Sequence, residues 1–171
     1  MELYLKSKIG SVEGFRFAGF DVNSDRCNMV ILNENGRMVC HKTAWFSKVV
    51  QHGYPKERAW NEIISEVDKL FRIAKGYSVK TIFFENLLSI NGRRVISGNS
   101  AKSRRKCSRF MKSKLLNWMI PRGLKHGFDV YLVDPAKTSV AGEVIGRRLG
   151  LDKHTSSAYA IALRGINALK C

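Results

Sequence analysis

Four polar residues of this chain stand where chemistry is easier to explain than structure. Asp21 ends the apolar run "FRFAGFDVN", Glu85 closes "TIFFE", and Asp152 and His154 open "LDKHTSSAYA". A carboxylate that ends an apolar strand costs several kcal/mol unless a partner offsets its desolvation. Asp and Glu oxygens are hard ligands suited to magnesium. A neutral imidazole can ligate a metal or move a proton. Carboxylates that hold one or two Mg²⁺ or Mn²⁺ ions about 4 Å apart would acidify water and neutralise charge developing on a phosphodiester. Each residue also has a plainer role open to it. Asp21 could bond a turn backbone, Asp152 could cap a helix, and His154 could be an ordinary helix-start residue.

The elements that must position them follow from the apolar pattern. Residues 15–23 read as a strand. The segment "CNMVILNENGRMVCHKTAWF" has the turn signal "NENG" between two apolar runs, so residues 27–33 and 37–46 are expected as a hairpin. Trp60, Ile63, Ile64, Val67, Leu70, Phe71 and Ala74 recur at helical spacing, with Pro55 near the start and Gly76 expected just past the end. "VKTIFFENL" reads as a nearly continuous apolar strand, as a buried parallel strand should.

A Gly- and Ser-rich loop is expected over 89–100 and a second helix over about 101–119, its end disturbed by Pro121 and Gly123. Phe110, Met111, Leu115 and Trp118 form that helix's apolar side. "FDVYLVDP" is a fifth strand, and "TSVAGEVIGRRLG" is expected as a loop with a short helix at best. The closing segment, "HTSSAYAIALRGINAL", is a helix whose small residues Ser156, Ser157, Ala158, Ala160 and Ala162 would let it lie close to a sheet.

The order β-β-β-α-β-α-β-α implies an α/β (mixed α+β) fold of the ribonuclease H-like class. A five-stranded mixed sheet is flanked by helices on both faces. In that arrangement the first and fourth strands are neighbours and the last helix brings its N-terminus to them, so Asp21, Glu85 and His154 converge. A single domain over residues 1–171, with 1–14 as an N-terminal extension, suits a chain of this length.

Bulk properties name the partner class. The net charge is +16, and a folded chain this basic meets polyanions, nucleic acid first. Residues 86–128 hold no acid. Arg93, Arg94, Lys102, Arg104, Arg105, Lys106, Arg109, Lys112 and Lys114 lie there, with Arg122 and Lys125 beyond them. Such a stretch directly after Glu85 is expected to grip a phosphate backbone, giving affinity and salt dependence with little sequence reading. Arg147 and Arg148 could add to that face. Trp45, Phe46 and Tyr54 could stack on bases or serve core packing or a dimer contact.

Cys27, Cys40, Cys107 and Cys171 form no C-x-x-C pair, so zinc ribbons are not expected and free thiols are. No apolar run reaches the ~20 residues of a membrane span. The segment "MELYLKSKIG" lacks a signal-peptide pattern, so a cytoplasmic, nucleoid-associated location is expected.

The motifs also carry a resemblance. "GFDVNSDRCNMVILNENGRMV" resembles the opening strand and hairpin of RuvC-type nuclease domains, and "FFENL" resembles their second catalytic motif. "VYLVDPAKTS" resembles a segment of transposon-encoded TnpB (OrfB) proteins. "LDKHTSSAYAIALRG" resembles the final motif shared by TnpB and the type V CRISPR effector nucleases. Together these cover roughly residues 15–168.

The resemblance implies a Mg²⁺-dependent endodeoxyribonuclease with Asp21 and Glu85 as the first two metal-binding residues. The final Asp of such families falls on His154, and Asp152 matches the non-catalytic acid two positions earlier. Some RuvC-type resolvases use a histidine in that region. Unlike TnpB, residues 140–151 carry no cysteine and the first strand begins near residue 15, so guide RNA is not an expected partner. The expectation is a structure-selective nuclease acting on branched or single-stranded DNA as a homodimer, as RuvC Holliday junction resolvases do. The alternatives are a TnpB-derived transposon-associated nuclease or accessory protein, or a non-catalytic nucleic-acid-binding relic of one.

Overall fold

The computed structural model describes residues 14–47, 55–86, 101–135 and 138–170, with 56, 101–111, 138 and 139 as backbone only. The strands are β1 (Arg16–Val22), β2 (Arg26–Asn33), β3 (Met38–Trp45), β4 (Val79–Glu85) and β5 (Asp129–Val133). The helices are α1 (Lys56–Gly76), α2 (Ala101–Lys125), α3 (Thr138–Leu149) and α4 (Lys153–Lys170). The sheet order is β3-β2-β1-β4-β5. β1 pairs antiparallel with β2 and parallel with β4, and β5 runs parallel to β4. Phe20 lies beside Phe84 in the β1–β4 register, so the C-terminal ends that carry Asp21 and Glu85 are adjacent.

Both faces of the sheet are covered. On one, Phe20, Val22, Met29, Ile31, Ile82 and Phe84 pack against Ile63, Val67, Leu70 and Phe71 of α1 and Leu115, Leu116 and Met119 of α2. On the other, Phe17, Val30, Leu32, Phe83 and Tyr131 pack against Ala158, Ile161, Ala162 and Ile166 of α4. The expected mixed sheet with helices on both faces is the observed one.

α4 lies very close to the sheet, and glycine and alanine make this possible. A Cβ on Gly19 would meet the Ala158 carbonyl oxygen at 2.2 Å and the Ala162 amide at 2.6 Å. A Cβ on Gly165 would enter the Phe83 ring at 2.2 Å. Further along α4, Tyr159 donates its hydroxyl proton to the Gly36 carbonyl in the hairpin turn. Lys170 Nζ donates to the Glu34 carbonyl there at 2.9 Å. The turn itself is "NENG": Asn33 Oδ1 accepts from the Asn35 and Arg37 amides, and Gly36 takes a φ of 74°.

Three boundaries differ from the sequence expectation. α2 runs through Pro121 to Lys125. Gly123 there presses against Ile82 and Val130, and Arg122 Nε donates to Asp68 Oδ1 at 2.7 Å, so packing holds the last turn despite the lost proline donor. Residues 138–149 form a full helix where mostly loop was expected. Gly142 and Gly146, spaced one turn apart, face the start of α4 at Ser156 and Ser157. They are contact glycines. Gly76 is the last residue of α1, and Ser78 (φ 55°) takes the left-handed conformation beyond it.

The 89–100 loop, the N-terminal extension, Tyr54, Arg93 and Arg94 lie outside the described residues. The side chains of Phe110 and Met111 do too. Among the described residues Cys27 and Cys40 are free thiols, and no helix is long and apolar enough to cross a membrane.

Candidate metal and nucleic-acid site

The site forms at the C-terminal ends of the inner strands β1 and β4. Asp21 is buried at the end of β1. Its Oδ2 lies 3.0 Å from Nδ1 of His154, delivered by the first turn of α4. Asn23, also buried, donates Nδ2 to the same Asp21 oxygen at 2.7 Å and lies 3.1 Å from His154 Nδ1. Three groups therefore form a nearly equilateral triangle. An amide cannot aim two protons, set about 120° apart, at two atoms so close together. The arrangement that satisfies all three has Asn23 and His154 Nδ1–H both donating to Asp21 Oδ2. Asp21 keeps its second oxygen, and His154 keeps the lone pair of Nε2, for other partners.

Asp152 fixes the histidine from behind. Its Oδ1 accepts from the His154 amide at 2.9 Å and the Thr155 amide at 3.2 Å, and its Oδ2 accepts from the Thr155 hydroxyl. This is an N-cap of α4. Burial works against the Asp152 charge, but the Thr155 and His154 donors outweigh it and hold the carboxyl below its ordinary range. The structure thus engages Asp152 in capping, one of the two roles its position allowed. Beneath it, Asn28 sits opposite Asp21 in the ladder. It donates to the Thr43 hydroxyl at 2.8 Å and reaches Thr155 Oγ1 at 3.5 Å.

Glu85 is half-buried at the end of β4. Burial first, and then the charge of Asp21, push its pKa above the usual carboxylate range, while Lys112 and Arg164 oppose the shift. The two acids thus lie on neighbouring strand ends, with the charges of Lys112 from α2 and Arg164 from α4 acting on Glu85. Lys112 was expected on the backbone-gripping face. It turns into the site, and its Nζ donates to Asn23 Oδ1 at 2.8 Å. Arg164 Nη1 donates to the Asp134 carbonyl at 2.7 Å. Lys114 remains exposed and lies 4.6 Å over the Trp60 ring. Lys102, Arg104, Arg105, Lys106 and Arg109 fall on the first half of α2, described as backbone only.

Sequence reasoning missed Asn23 and Arg164 as members of this site. Asn23 carried a faint signal, an amide two residues after an acid at a strand end. Arg164 carried none, since its partners come from remote segments.

Among the described residues no three His, Cys, Asp or Glu side chains close on one point as a ready-made metal cage. The donor set still fits a magnesium ion. Such an ion is bound by one or two carboxylates and completes its shell with water and phosphate oxygens, and Asp21 and Glu85 offer two mutually repelling carboxylates.

No family model matches the chain. An uncharacterized protein of Saccharolobus solfataricus is 40% identical over 158 residues, which cover 89% of this chain and 41% of that protein. An uncharacterized protein of Aeropyrum pernix is 33% identical over 164 residues, 90% of this chain and 43% of that protein. The chain spans about two fifths of the length of these curated relatives. Among solved structures, T. thermophilus RuvC in complex with a Holliday junction substrate matches with a TM-score of 0.60 at 13% identity, over 90% of this chain and 94% of that one. The fold is that of RuvC. At this identity the likeness speaks for fold alone. It places the strand order and the flanking helices in the ribonuclease H-like class, while the TnpB resemblance rests on the sequence motifs.

Proposed function

We propose that the chain carries a metal-dependent nuclease centre of RuvC type that hydrolyses phosphodiester bonds in DNA. One observation carries the proposal: Asp21 and Glu85 lie at the C-terminal ends of adjacent parallel strands, with His154 hydrogen-bonded to Asp21. Asp21, Glu85 and, through Nε2, His154 are the residues that would hold one or two Mg²⁺ or Mn²⁺ ions. A divalent ion supplies an acidified water and charge neutralisation on the phosphate. The chain's own groups do the rest. Asn23 holds the Asp21 carboxylate in place, the Asp152 cap fixes the His154 backbone, and Lys112 and Arg164 bring positive charge to where a phosphate would enter. The sequence of the first half of α2 is rich in Lys and Arg, and a net charge of +16 favours long-range attraction of DNA. Branched DNA of the four-way-junction type is the substrate we favour, cut by a homodimer. Support comes from the RuvC fold and from the RuvC-like opening motifs.

A second proposal keeps the same centre in a TnpB-like setting. "LDKHTSSAYAIALRG" and the much greater length of the relatives favour it. The test is a panel of labelled four-way junction, duplex, single-stranded DNA and RNA–DNA hybrid, offered with Mg²⁺ or Mn²⁺ to the parent chain and to Asp21→Asn. Junction cleavage by the parent and none by the variant is the expected result. Cleavage of single strands in preference to junctions favours the TnpB-like setting. Binding without metal-dependent cleavage of any substrate leaves a non-catalytic binding protein and ends the enzyme proposal.

A further inference from the structure

Trp45 ends β3 with 55% of its surface exposed, although its chain neighbours Ala44 and Phe46 are buried. A single exposed apolar residue is ordinary on a folded surface; what sets Trp45 apart is the cation held against its ring. The ring is not bare. Arg26, its partner across the β2–β3 ladder, lays its guanidinium carbon 4.1 Å from the ring centroid. That guanidinium is itself fixed: Nη2 and Nε donate to Asp25 Oδ2 at 2.6 and 3.1 Å. The Asp25 carbonyl in turn accepts from the Phe46 amide at 2.9 Å. A planar cation and a planar indole are thus held together at a strand end before any ligand arrives.

The place matters as much as the chemistry. Asp21, Asn28 and Thr43 form one row across β1, β2 and β3. Trp45 is two residues beyond Thr43, so it shares the face of the sheet on which Asp21 and α4 lie. Two strand spacings separate β3 from β1, roughly 10 Å. Trp60, by contrast, packs against the core with Lys114 over its ring.

We propose that Trp45 and Arg26 form a stacking shelf for one unpaired nucleobase of a DNA strand whose phosphate lies at Asp21. This rests on the proposal that the partner is DNA, and it adds a base-binding subsite to the phosphate-binding one. Stacking of this kind is tolerant of sequence, because every base has a π face. It favours unpaired over fully paired strands, since a base must leave its own stack to use the shelf.

The test is a titration of the 171-residue chain, kept in chelator so that no strand is cut, with oligothymidine and with a blunt duplex. Tryptophan fluorescence and affinity are read together for the parent, Trp45→Phe and Trp45→Ala. The expected result is quenching of the parent by oligothymidine and loss of most of that quenching in Trp45→Ala. Trp45→Ala should bind the single strand roughly tenfold more weakly, bind the duplex unchanged, and be largely rescued by Trp45→Phe in affinity. Equal single-strand affinity for parent and Trp45→Ala overturns the shelf, and leaves the nuclease proposal standing if Mg²⁺-dependent cleavage persists. Weakened binding of Trp45→Ala accompanied by a dimer-to-monomer change in sedimentation assigns Trp45 to a protein contact and also overturns it. Quenching that depends on Trp45 in a chain that cuts nothing keeps the shelf and removes the nuclease.

Discussion

Asn23 is the residue on which the site's internal order depends most. It gives a proton to Asp21, lies against His154 and accepts from Lys112, so it joins β1, α2 and α4 at one point. Asn23→Ala is expected to lower stability by about 1–2 kcal/mol, the cost of leaving buried partners unpaired. It should lower kcat on junction DNA by about 10- to 100-fold, the usual cost of removing a group that orients a ligand, with KM nearly unchanged. A stopped-flow comparison in which kcat stays at the parent value counts against its positioning role. This residue also marks the limit of what was legible beforehand. Acids at strand ends announce themselves because burying charge is costly. A neutral amide announces itself far less, so Asn23 read only as the last residue of the 15–23 strand. Lys112 could be read as basic but not as inward-facing, because a lysine's direction depends on which neighbour accepts its proton.

At the scale of elements, α4 is the part that assembles the centre, and its closeness to β1 rests on Gly19. A methyl group at Gly19 has no room against the Ala158 and Ala162 backbone. Gly19→Ala is therefore expected to destabilise the fold by about 2–3 kcal/mol, a fall in Tm of roughly 4–12 °C for a chain of this size, and to move His154 away from Asp21. An unchanged melting curve would show that α4 can shift at little cost.

Asp68 performs a similar service between α1 and α2. Its carboxyl is held down to about 2, chiefly by the Arg122 hydrogen bond; burial opposes this, and the His126 hydrogen bond adds to the lowering. A carboxyl whose folded pKa is depressed stabilises fully above its unfolded value, near 3.9, and loses that contribution as pH falls towards about 2. The amount is about 1 kcal/mol, since Arg122 is substantially exposed and solvent screens the pair. Chemical denaturation of Asp68→Asn between pH 5 and pH 2 should show a shallower acid limb than the parent; identical limbs would remove Asp68 from the account. The strands and α1 were legible from their apolar periods. α3 was not, because Gly142 and Gly146 lower helix propensity while serving contact with α4, and only the tertiary neighbour explains them.

For the whole molecule, the strand ends that carry Asp21 and Glu85 and the helix that carries most of the basic run adjoin through the Lys112–Asn23 hydrogen bond. DNA affinity should accordingly fall steeply with salt, log K declining with a slope set by the number of phosphates neutralised. A salt-independent affinity would separate the net charge from DNA binding. The ribonuclease H-like order was readable because three hairpin-linked strands followed by alternating helices and strands admit few arrangements, whereas the pairing of His154 with Asp21 across 133 positions depended on the fold being right. The most direct measurement is single-turnover cleavage of a labelled four-way junction with Mg²⁺ by the parent chain and by Glu85→Gln, with junction affinity read alongside. The account predicts cleavage by the parent and a loss on the order of a thousandfold in Glu85→Gln at nearly unchanged affinity. Equal cleavage by the two proteins would contradict it.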